Sequence, residues 1–146
     1  MVGQRCIDLI KQYEGFSAKS YICPAGYLTI GYGHVIQKGE KFTTITEKQA
    51  VALLMRDLPA YEQWVGKLIS EPLTQNQFDA LTSFVYNLGP HRLKTSTLRK
   101  RINDGLHWLV PDELRKWVYG GGKRLNGLVA RREAEAQLYS SASRTE

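Results

Sequence analysis

The hydrophobic periodicity of this chain changes twice within its first 50 residues, and these changes limit the possible fold more than any other feature. Apolar residues from Cys6 to Tyr13 recur at helical spacing and stop at Gly15, which predicts a short helix ending at or just beyond Glu14. Residues 20–36 are rich in Tyr, Ile, Thr and Val and are interrupted by Pro and Gly, which predicts a small β-hairpin or meander. After Thr43 the helical spacing returns. This order predicts an α+β fold with a small N-terminal lobe that contains the strands and a larger helical lobe.

Helix signals fill the rest of the chain. Thr46 with Gln49, and Thr74 with Gln77, have the spacing of capping boxes, in which each residue of the pair satisfies a backbone amide of the other. Pro59 is expected to kink or interrupt the first of these helices. The second is apolar on most of its circumference, so we expect it to be the buried central helix. The expected helices run from Thr46 towards Leu68, Thr74 to Gly89, Ser96 to Asp104, Pro111 to just before Gly120, and Gly127 to Tyr139, and the tail Ser140 to Glu146 is expected to fray.

Length and composition indicate a single globular domain. The chain has 146 residues, of which 42% are hydrophobic and 23% are charged, as is typical of a folded protein. We expect one domain over residues 1–146: residues 15–45 form the small lobe, and residues 46–146 form the helical lobe together with the N-terminal helix. No apolar run reaches the roughly 18 residues that a membrane span needs, and the N-terminal segment is too polar for a signal peptide. We therefore expect synthesis in the cytoplasm and no stable insertion into a membrane.

The net charge and the cysteine count narrow the class of function. A formal charge of +6 attracts polyanions, which include nucleic acids, anionic lipids and the bacterial envelope. Nucleic acid is not expected as a partner, because the aromatic residues are not interleaved with Lys and Arg as a base-stacking surface requires. The two cysteines, Cys6 and Cys23, are too few for a disulfide scaffold or a zinc site of CxxC type. We expect both thiols to be reduced, and we expect no metal and no cofactor.

The segment from Glu14 to His34 is the part of the sequence that points to chemistry. It places a carboxylate at the end of a helix, facing a compact sheet across a turn. Such a junction forms the wall of a cleft, where a partly shielded carboxyl group can serve as a general acid. The alternative is that Glu14 is simply a solvated residue of the last helical turn.

The spacing within this segment resembles the active-site signature of phage lysozymes, the T-even and lambdoid endolysin type. Eight residues separate Glu14 from Cys23, five separate Cys23 from Thr29, and the sequence Ile-Gly-Tyr-Gly-His follows directly at residues 30–34. Residues 73–81, 86–89 and 127–135 are similar to further stretches of the same family, in the same order. The resemblance covers nearly the whole chain and implies a lysozyme-like α+β fold.

The resemblance implies a triad of Glu, Asp and Thr, which here corresponds to Glu14, Cys23 and Thr29. Cys23 stands where most members of the family have Asp. No Asp or Glu lies between Glu14 and Glu40, so this loop cannot supply the second carboxylate that glycosidases usually use. The resemblance implies that Glu14 protonates the leaving oxygen, while Cys23 and Thr29 organise the attacking water of an inverting enzyme. The other interpretation takes Cys23 as a small space-filling residue and Thr29 as a strand former.

The resemblance also implies residues that support the site. His34 is implied to pair with Asp57 on the long helix. An Arg near the cleft is implied to pair with Glu14, and the sequence leaves three candidates: Arg124, Arg131 and Arg132. The substrate is expected between the lobes, in contact with Val35, Tyr86, Asn87 and Thr97. For Tyr86, packing in the core is the alternative.

These features together imply an endolysin: a muramidase that hydrolyses the β-1,4 bond between N-acetylmuramic acid and N-acetylglucosamine and so lyses the host cell. The implied partner is bacterial peptidoglycan, reached after release from the cytoplasm, and we expect a monomer. Two alternatives stay open. One is a lytic transglycosylase, which cleaves the same bond and needs only one acid, and the other is a non-catalytic module that binds the cell wall.

Overall fold

The computed structural model describes residues 1–142 as a small three-stranded sheet and a set of packed helices; residues 143–146, the end of the tail that is expected to fray, lie outside the described residues. The helices are α1 (Gln4–Glu14), α2 (Glu47–Leu68), α3 (Gln75–Leu88), α4 (Pro90–Lys94), α5 (Thr97–Asn103), α6 (Val110–Arg115) and α7 (Asn126–Ser140), with a 3-10 turn at His107–Leu109. The strands are β1 (Ser17–Ile22), β2 (Leu28–Gly31), β3 (His34–Val35), β4 (Tyr119–Gly120) and β5 (Lys123–Arg124). The predicted α+β class is confirmed.

The sheet of the small lobe is the predicted meander, with strand order β1-β2-β3 and antiparallel pairing throughout. Thr29 lies opposite both Tyr21 on β1 and Val35 on β3, so these three side chains share one face. Ile30 and His34 lie opposite each other on the second face, where both are buried. One face of the sheet therefore packs on the protein core, whereas on the other face Tyr21 and Val35 are partly exposed and Thr29 between them is buried.

Two apolar clusters form the core. One lies in the helical lobe around Phe84 and Val85 of α3. The other joins α1, the sheet and α2 through residues such as Ile10, Ile30 and Leu54. As expected, α3 is the central helix: most of its residues are buried, and it packs against α1, α2 and α7. Both predicted capping boxes, at Thr46 and at Thr74, are present.

Of the two effects expected of Pro59, the interruption of the long helix is wrong, because α2 runs unbroken from Glu47 to Leu68; the kink stays a prediction. A proline inside a helix removes one backbone hydrogen bond. Leu58 packs in the cluster that contains the sheet, and Val65 packs in the cluster of the helical lobe. The helix is therefore held by packing on both sides of the proline.

The helix after Pro111 is shorter than predicted, since α6 ends at Arg115. The following glycines do more than stop a helix: Gly121 and Gly122 both have positive φ and form the turn between β4 and β5. This two-stranded hairpin and the short helix α4 were not predicted. Both are shorter than the windows over which hydrophobic periodicity can be recognised.

His34 attaches the sheet to α2 through two carboxylates. Its Nδ1 lies 2.6 Å from Oδ2 of Asp57, which is the expected pair, and its Nε2 lies 2.9 Å from Oε1 of Glu40. Glu40 also accepts a hydrogen bond from Nη2 of Arg56 at 2.8 Å and one from the backbone N–H of Gln37. The sequence did not indicate that Glu40 belongs to this cluster.

The Glu40 cluster should contribute stability that is lost in acid. The Gln37 backbone N–H, followed by the side chains of His34 and Arg56, holds the pKa of Glu40 at about 2, below its ordinary value of 4.5. Because the pKa is lowered in the folded state, the stabilisation is fully present above pH 4.5 and disappears as the pH falls towards 2. Glu40→Gln should therefore lower the urea midpoint at pH 6 and match the wild type at pH 2.

The matched control is Asp104→Asn, which breaks the exposed ion pair between Asp104 and Lys100. Exposed pairs contribute about 0–1 kcal/mol, so this variant should follow the wild type across the whole pH range. A constant difference between Glu40→Gln and the wild type from pH 6 to pH 2 would contradict the prediction.

Candidate active site

Glu14 is the last residue of α1, and the chain turns away directly after it. Gly15 has a φ of 72°, and its N–H donates to the carbonyl oxygen of Lys11, which closes the helix. This ends α1 at the base of the sheet and leaves the Glu14 side chain 18% exposed. The carboxylate is thus shielded on most sides but remains open to a ligand.

The turn between β2 and β3 comes unusually close to this carboxylate. A Cβ atom placed on Gly33 would lie 2.8 Å from Oε1 of Glu14, a distance that real Cβ atoms do not adopt. Gly33 also has a φ of +85°, which L-residues rarely adopt. Only glycine lets the sheet approach Glu14 in this way, which explains the glycine at position 33 of the segment 29–34.

Of the three candidate arginines, Arg131 is the one that contacts Glu14. Its Nη1 donates to Oε2 of Glu14 at 2.6 Å, and its side chain is almost fully buried. Arg124 lies exposed on β5, and Arg132 donates to Oδ1 of Asn87 and pairs with Glu135. The pairing joins the end of α1 to α7, 117 residues further along the chain.

Cys23 and Thr29 flank the turn between β1 and β2. The N–H of Cys23 donates to the carbonyl oxygen of Tyr27 at 2.9 Å, and its own carbonyl oxygen accepts from Gly26. The Thr29 hydroxyl donates to the same Tyr27 carbonyl at 2.9 Å, so its oxygen keeps lone pairs that can accept a hydrogen bond. Thr29 is buried, whereas Cys23 is a free, partly exposed thiol.

The Cys23 thiol is more acidic than an ordinary cysteine. Burial makes the largest single contribution and raises its pKa, but the polar groups around the sulfur, first the backbone of Tyr27, then the Thr29 hydroxyl and the backbone of Ala25 and Gly26, together lower the pKa below its ordinary value. A thiolate is therefore more accessible here than in an isolated cysteine.

Tyr21 belongs to the candidate site, although no sequence motif points to it. It lies opposite Thr29 on the same face of the sheet. Burial raises the pKa of its phenol, and the nearby charges of Glu14 and Cys23 raise it further. Tyr21 thus lies within electrostatic reach of both groups. The period-2 alternation of β1 could have placed it beside Thr29, given the correct register.

The residues expected to contact substrate fall into two groups. Val35 lines a groove of about 520 Å³ that also contains Tyr61, Trp64 and Pro90. Tyr86 is instead buried, and its hydroxyl donates to the carbonyl oxygen of Tyr32 at 2.7 Å. This bond supports the turn that carries Gly33 and leaves the Tyr86 ring little exposed surface to offer a sugar.

The other two residues expected to contact substrate, Asn87 and Thr97, make no direct contact with the Glu14 carboxylate among the described hydrogen bonds. The Asn87 side chain accepts a hydrogen bond from Arg132, which places it beside the arginine pair of α7. Thr97 is exposed at the first residue of α5.

Among residues 1–142, no group of three or more His, Cys, Asp and Glu side chains is arranged to hold a metal ion.

Comparison with known proteins places these residues in a recognisable context. A family model described as phage lysozyme matches residues 11–135. The endolysin of Bacillus phage B103 is 42% identical over 140 residues, which are 94% of this chain but 53% of that protein. The chain thus spans about half the length of that relative. The endolysin of Acyrthosiphon pisum secondary endosymbiont phage 1 is 41% identical over 97% of this chain and 99% of its own length.

The fold is also similar to that of a solved structure. The muramidase domain of SpmX from Asticaccaulis excentricus superposes with a TM-score of 0.88 at 32% identity, over 97% of this chain and 99% of that domain. Within the described range 1–142, no helix combines the length and the apolar composition that crossing a membrane requires.

The close approach of Gly33 to Glu14 can be measured by substitution. Gly33→Ala should destabilise the fold for two reasons: an L-residue at positive φ costs roughly 1–2 kcal/mol, and the added methyl group collides with the Glu14 carboxylate. Gly39→Ala is the matched control, because Gly39 also has a positive φ, of +89°, but has nothing within 4 Å of the added Cβ. Urea unfolding should show a larger loss for Gly33→Ala. Equal losses would mean that Glu14 does not restrict this position.

Proposed function

The chain belongs to the phage lysozyme family, and we propose that it is an endolysin that hydrolyses the β-1,4 bond between N-acetylmuramic acid and N-acetylglucosamine in peptidoglycan. The observation that carries this proposal is the Glu14 carboxylate, held between Gly33 and Arg131 at the junction of the sheet and the helices. Two of its relatives are named endolysins, and a solved structure of similar fold is a muramidase domain. The reaction class is glycoside hydrolysis.

Glu14 acts as the general acid. It donates its proton to the glycosidic oxygen as the bond to the leaving sugar breaks, which leaves a carboxylate behind. Nη1 of Arg131, at 2.6 Å, stabilises that carboxylate with a charge-assisted hydrogen bond. The same contact fixes the direction in which the carboxyl group points.

Thr29 and Cys23 organise the attacking water. Because the Thr29 hydroxyl hydrogen is engaged by the Tyr27 carbonyl, its oxygen accepts a hydrogen bond from the water. Cys23, with its lowered pKa, takes the place of the carboxylate that most of the family carry, either as a thiolate that attracts positive charge or as a thiol that helps to position the water. The water attacks from the face opposite to Glu14, as in an inverting enzyme.

The groove beside β3 accepts the sugar chain. Val35, Trp64 and Pro90 supply apolar surface, and Trp64 is 41% exposed, so its ring can stack on a sugar. Arg56 and Gln37 supply polar groups at the edge. Asn87 and Thr97 are further candidates for contact with the glycan or its peptide, and Tyr86 acts mainly through the turn that it supports.

The basic surface favours the anionic cell wall over a neutral target. In this proposal the chain works as a monomer on peptidoglycan. It is made in the cytoplasm and reaches peptidoglycan after its release. Its site binds no nucleic acid and needs no metal or cofactor.

Replacement of Glu14 by Gln should abolish hydrolysis while leaving the fold in place, since only the transferable proton is lost. General acid catalysis contributes about 10²–10⁴ in rate, so the release of reducing sugar from purified peptidoglycan should fall at least that far. Asp8→Asn is the matched control on the same helix, because Asp8 is exposed and bonded only to Gln4. Its rate should equal that of the wild type.

The same assay separates the alternatives. Glu14→Gln should still bind sedimented peptidoglycan. A wild-type protein that binds peptidoglycan but releases no reducing sugar would be a binding module. Mass spectrometry of the products distinguishes hydrolysis, which adds one water, from the anhydro product of a lytic transglycosylase. Retention of more than about a tenth of the wild-type rate by Glu14→Gln would contradict its role as the acid.

Cys23 can be tested by substitution and by alkylation. Cys23→Asp should retain or increase the rate, and Cys23→Ala should lower it on the order of tenfold or more, about 1.4 kcal/mol in the barrier. Thiol alkylation should inactivate the enzyme, and muropeptide should protect it. Cys6 does not interfere, because it is fully buried and burial raises the pKa of its thiol. If Cys23→Ala is as active as the wild type, Cys23 only fills space.

A further inference from the structure

A buried acidic residue on α7 contacts the arginine that holds Glu14. Glu135 is an acidic residue with no exposed surface; it ends the family-like stretch 127–135, but no feature of the sequence pointed to a role for it in the site. Its Oε2 accepts a hydrogen bond from the Ser83 hydroxyl at 2.6 Å and lies 3.4 Å from Nε of Arg131 and 3.2 Å from Nη2 of Arg132. Nε of Arg132 lies 2.7 Å from Oε1 as an ion pair, without the alignment of a hydrogen bond.

These contacts determine the direction of the Arg131 guanidinium. Its Nε faces Glu135, its Nη2 donates to the carbonyl oxygen of Ser83 at 3.2 Å, and its Nη1 donates to Glu14. A guanidinium is planar, so fixing Nε and Nη2 also fixes where Nη1 points. Glu135 and Ser83 therefore orient the nitrogen that contacts the acid.

Arg131, Arg132 and Glu135 form a buried charge cluster, and its net charge affects whether Glu14 can hold a proton. Arg131 and Arg132 are both buried and bring two positive charges to the neighbourhood of Glu14. Without a counter-charge, two cations in a region of low dielectric would strongly favour the ionised carboxylate. Glu135 balances one of them. The cluster is then neutral when Glu14 is ionised and carries one positive charge when Glu14 is protonated.

We propose that Glu135 is a positioning residue for the general acid: it orients Arg131, and its negative charge balances the arginine pair so that Glu14 can retain the proton that it must donate. The inference deepens the function proposed above and rests on Glu14 as the acid. Glu135 itself has no exposed surface, so it acts through Arg131 without touching substrate.

The other ionisable groups near Glu14 do not supply this balance. Those that interact with Glu14 include Tyr21 on the sheet, Tyr61 on α2 and Tyr86 on α3, and Cys23 lies near Tyr21. On α1, Cys6 interacts with Arg131 and Glu135, but burial raises the pKa of its thiol and keeps it neutral. Burial, followed by nearby negative charge, raises the pKa of each tyrosine, so the three phenols stay neutral where the enzyme works. Cys23 is the one member of this group that can become charged there, and it is common to every variant below.

The test uses two single variants with opposite expected effects. Glu135→Gln removes the negative charge, so the pH at which Glu14 loses its proton should fall. Arg132→Gln removes a positive charge, so that pH should rise. The double variant Glu135→Gln/Arg132→Gln restores the balance and should titrate like the wild type. Glu133→Gln is the matched control, since Glu133 lies on the same helix but pairs with Arg115 in solvent.

The primary measurement is a ¹³C NMR titration of the Glu14 carboxyl carbon in the free protein, assigned by its absence in Glu14→Gln. The second is the pH profile of kcat/KM, whose alkaline limb should move with the Glu14 titration. A purely structural role would lower the rate or the stability without moving either midpoint.

Each outcome decides the proposal. Opposite shifts in the two single variants, with none in Glu133→Gln, would support it, and an unmoved Glu14 titration in a folded Glu135→Gln would overturn it. If Glu135→Gln does not fold, Arg132→Gln and the double variant decide the proposal. A rise of the Glu14 titration midpoint in Arg132→Gln, reversed in the double variant, supports it. An unchanged midpoint in Arg132→Gln overturns it. The titration needs no substrate, so an inactive wild type with the expected shifts would refute the muramidase function alone.

Discussion

The ion pair between Glu14 and Arg131 joins the two ends of the chain, and the rest of the site depends on it. Glu14 closes the first helix and Arg131 lies in the last, so their 2.6 Å contact forms only when α1 and α7 are both packed against α3. The ion pair is only partly buried, because the Glu14 side chain keeps some solvent exposure. An acid in this position is fixed in direction, is partly removed from water, and is still open to a substrate. A carboxylate on the surface of a helix would have none of these properties together.

The sheet reaches this acid only because the helices hold it. A sheet of three short strands, one of them two residues long, gains its stability from packing its apolar face on the helices. His34 binds it to α2 through Asp57 and Glu40, and the Tyr86 hydroxyl binds its turn to α3 through the Tyr32 carbonyl. These bonds flank Gly33 and press the turn against Glu14. The small lobe therefore brings Thr29 and Cys23 into place as one unit.

The buried charges on α7 orient Arg131 at a cost in stability. Removing two arginines and a glutamate from water costs free energy that apolar residues of similar volume would not cost. The charges are retained where the guanidinium of Arg131 must point at Glu14, and Glu135 and Ser83 supply the acceptors that it needs. Arg132 also packs over the ring of Phe84, so part of its burial is apolar contact. The stability of the fold and the geometry around Glu14 thus depend on the same residues.

What the sequence by itself determined is local. The end of α1 at Glu14, the capping boxes at Thr46 and Thr74, and the spacing from Glu14 through Thr29 follow from residues close together in the chain, because turns, caps and periodicity are short-range effects. The pairing of His34 with Asp57 came from the family resemblance. Only the tertiary structure decided which arginine meets Glu14, that Glu40 completes the His34 cluster, that Tyr21 lies beside Thr29, and that Glu135 stands behind Arg131. These depend on strand register and on packing between helices far apart in the chain, where one residue of shift turns a side chain away.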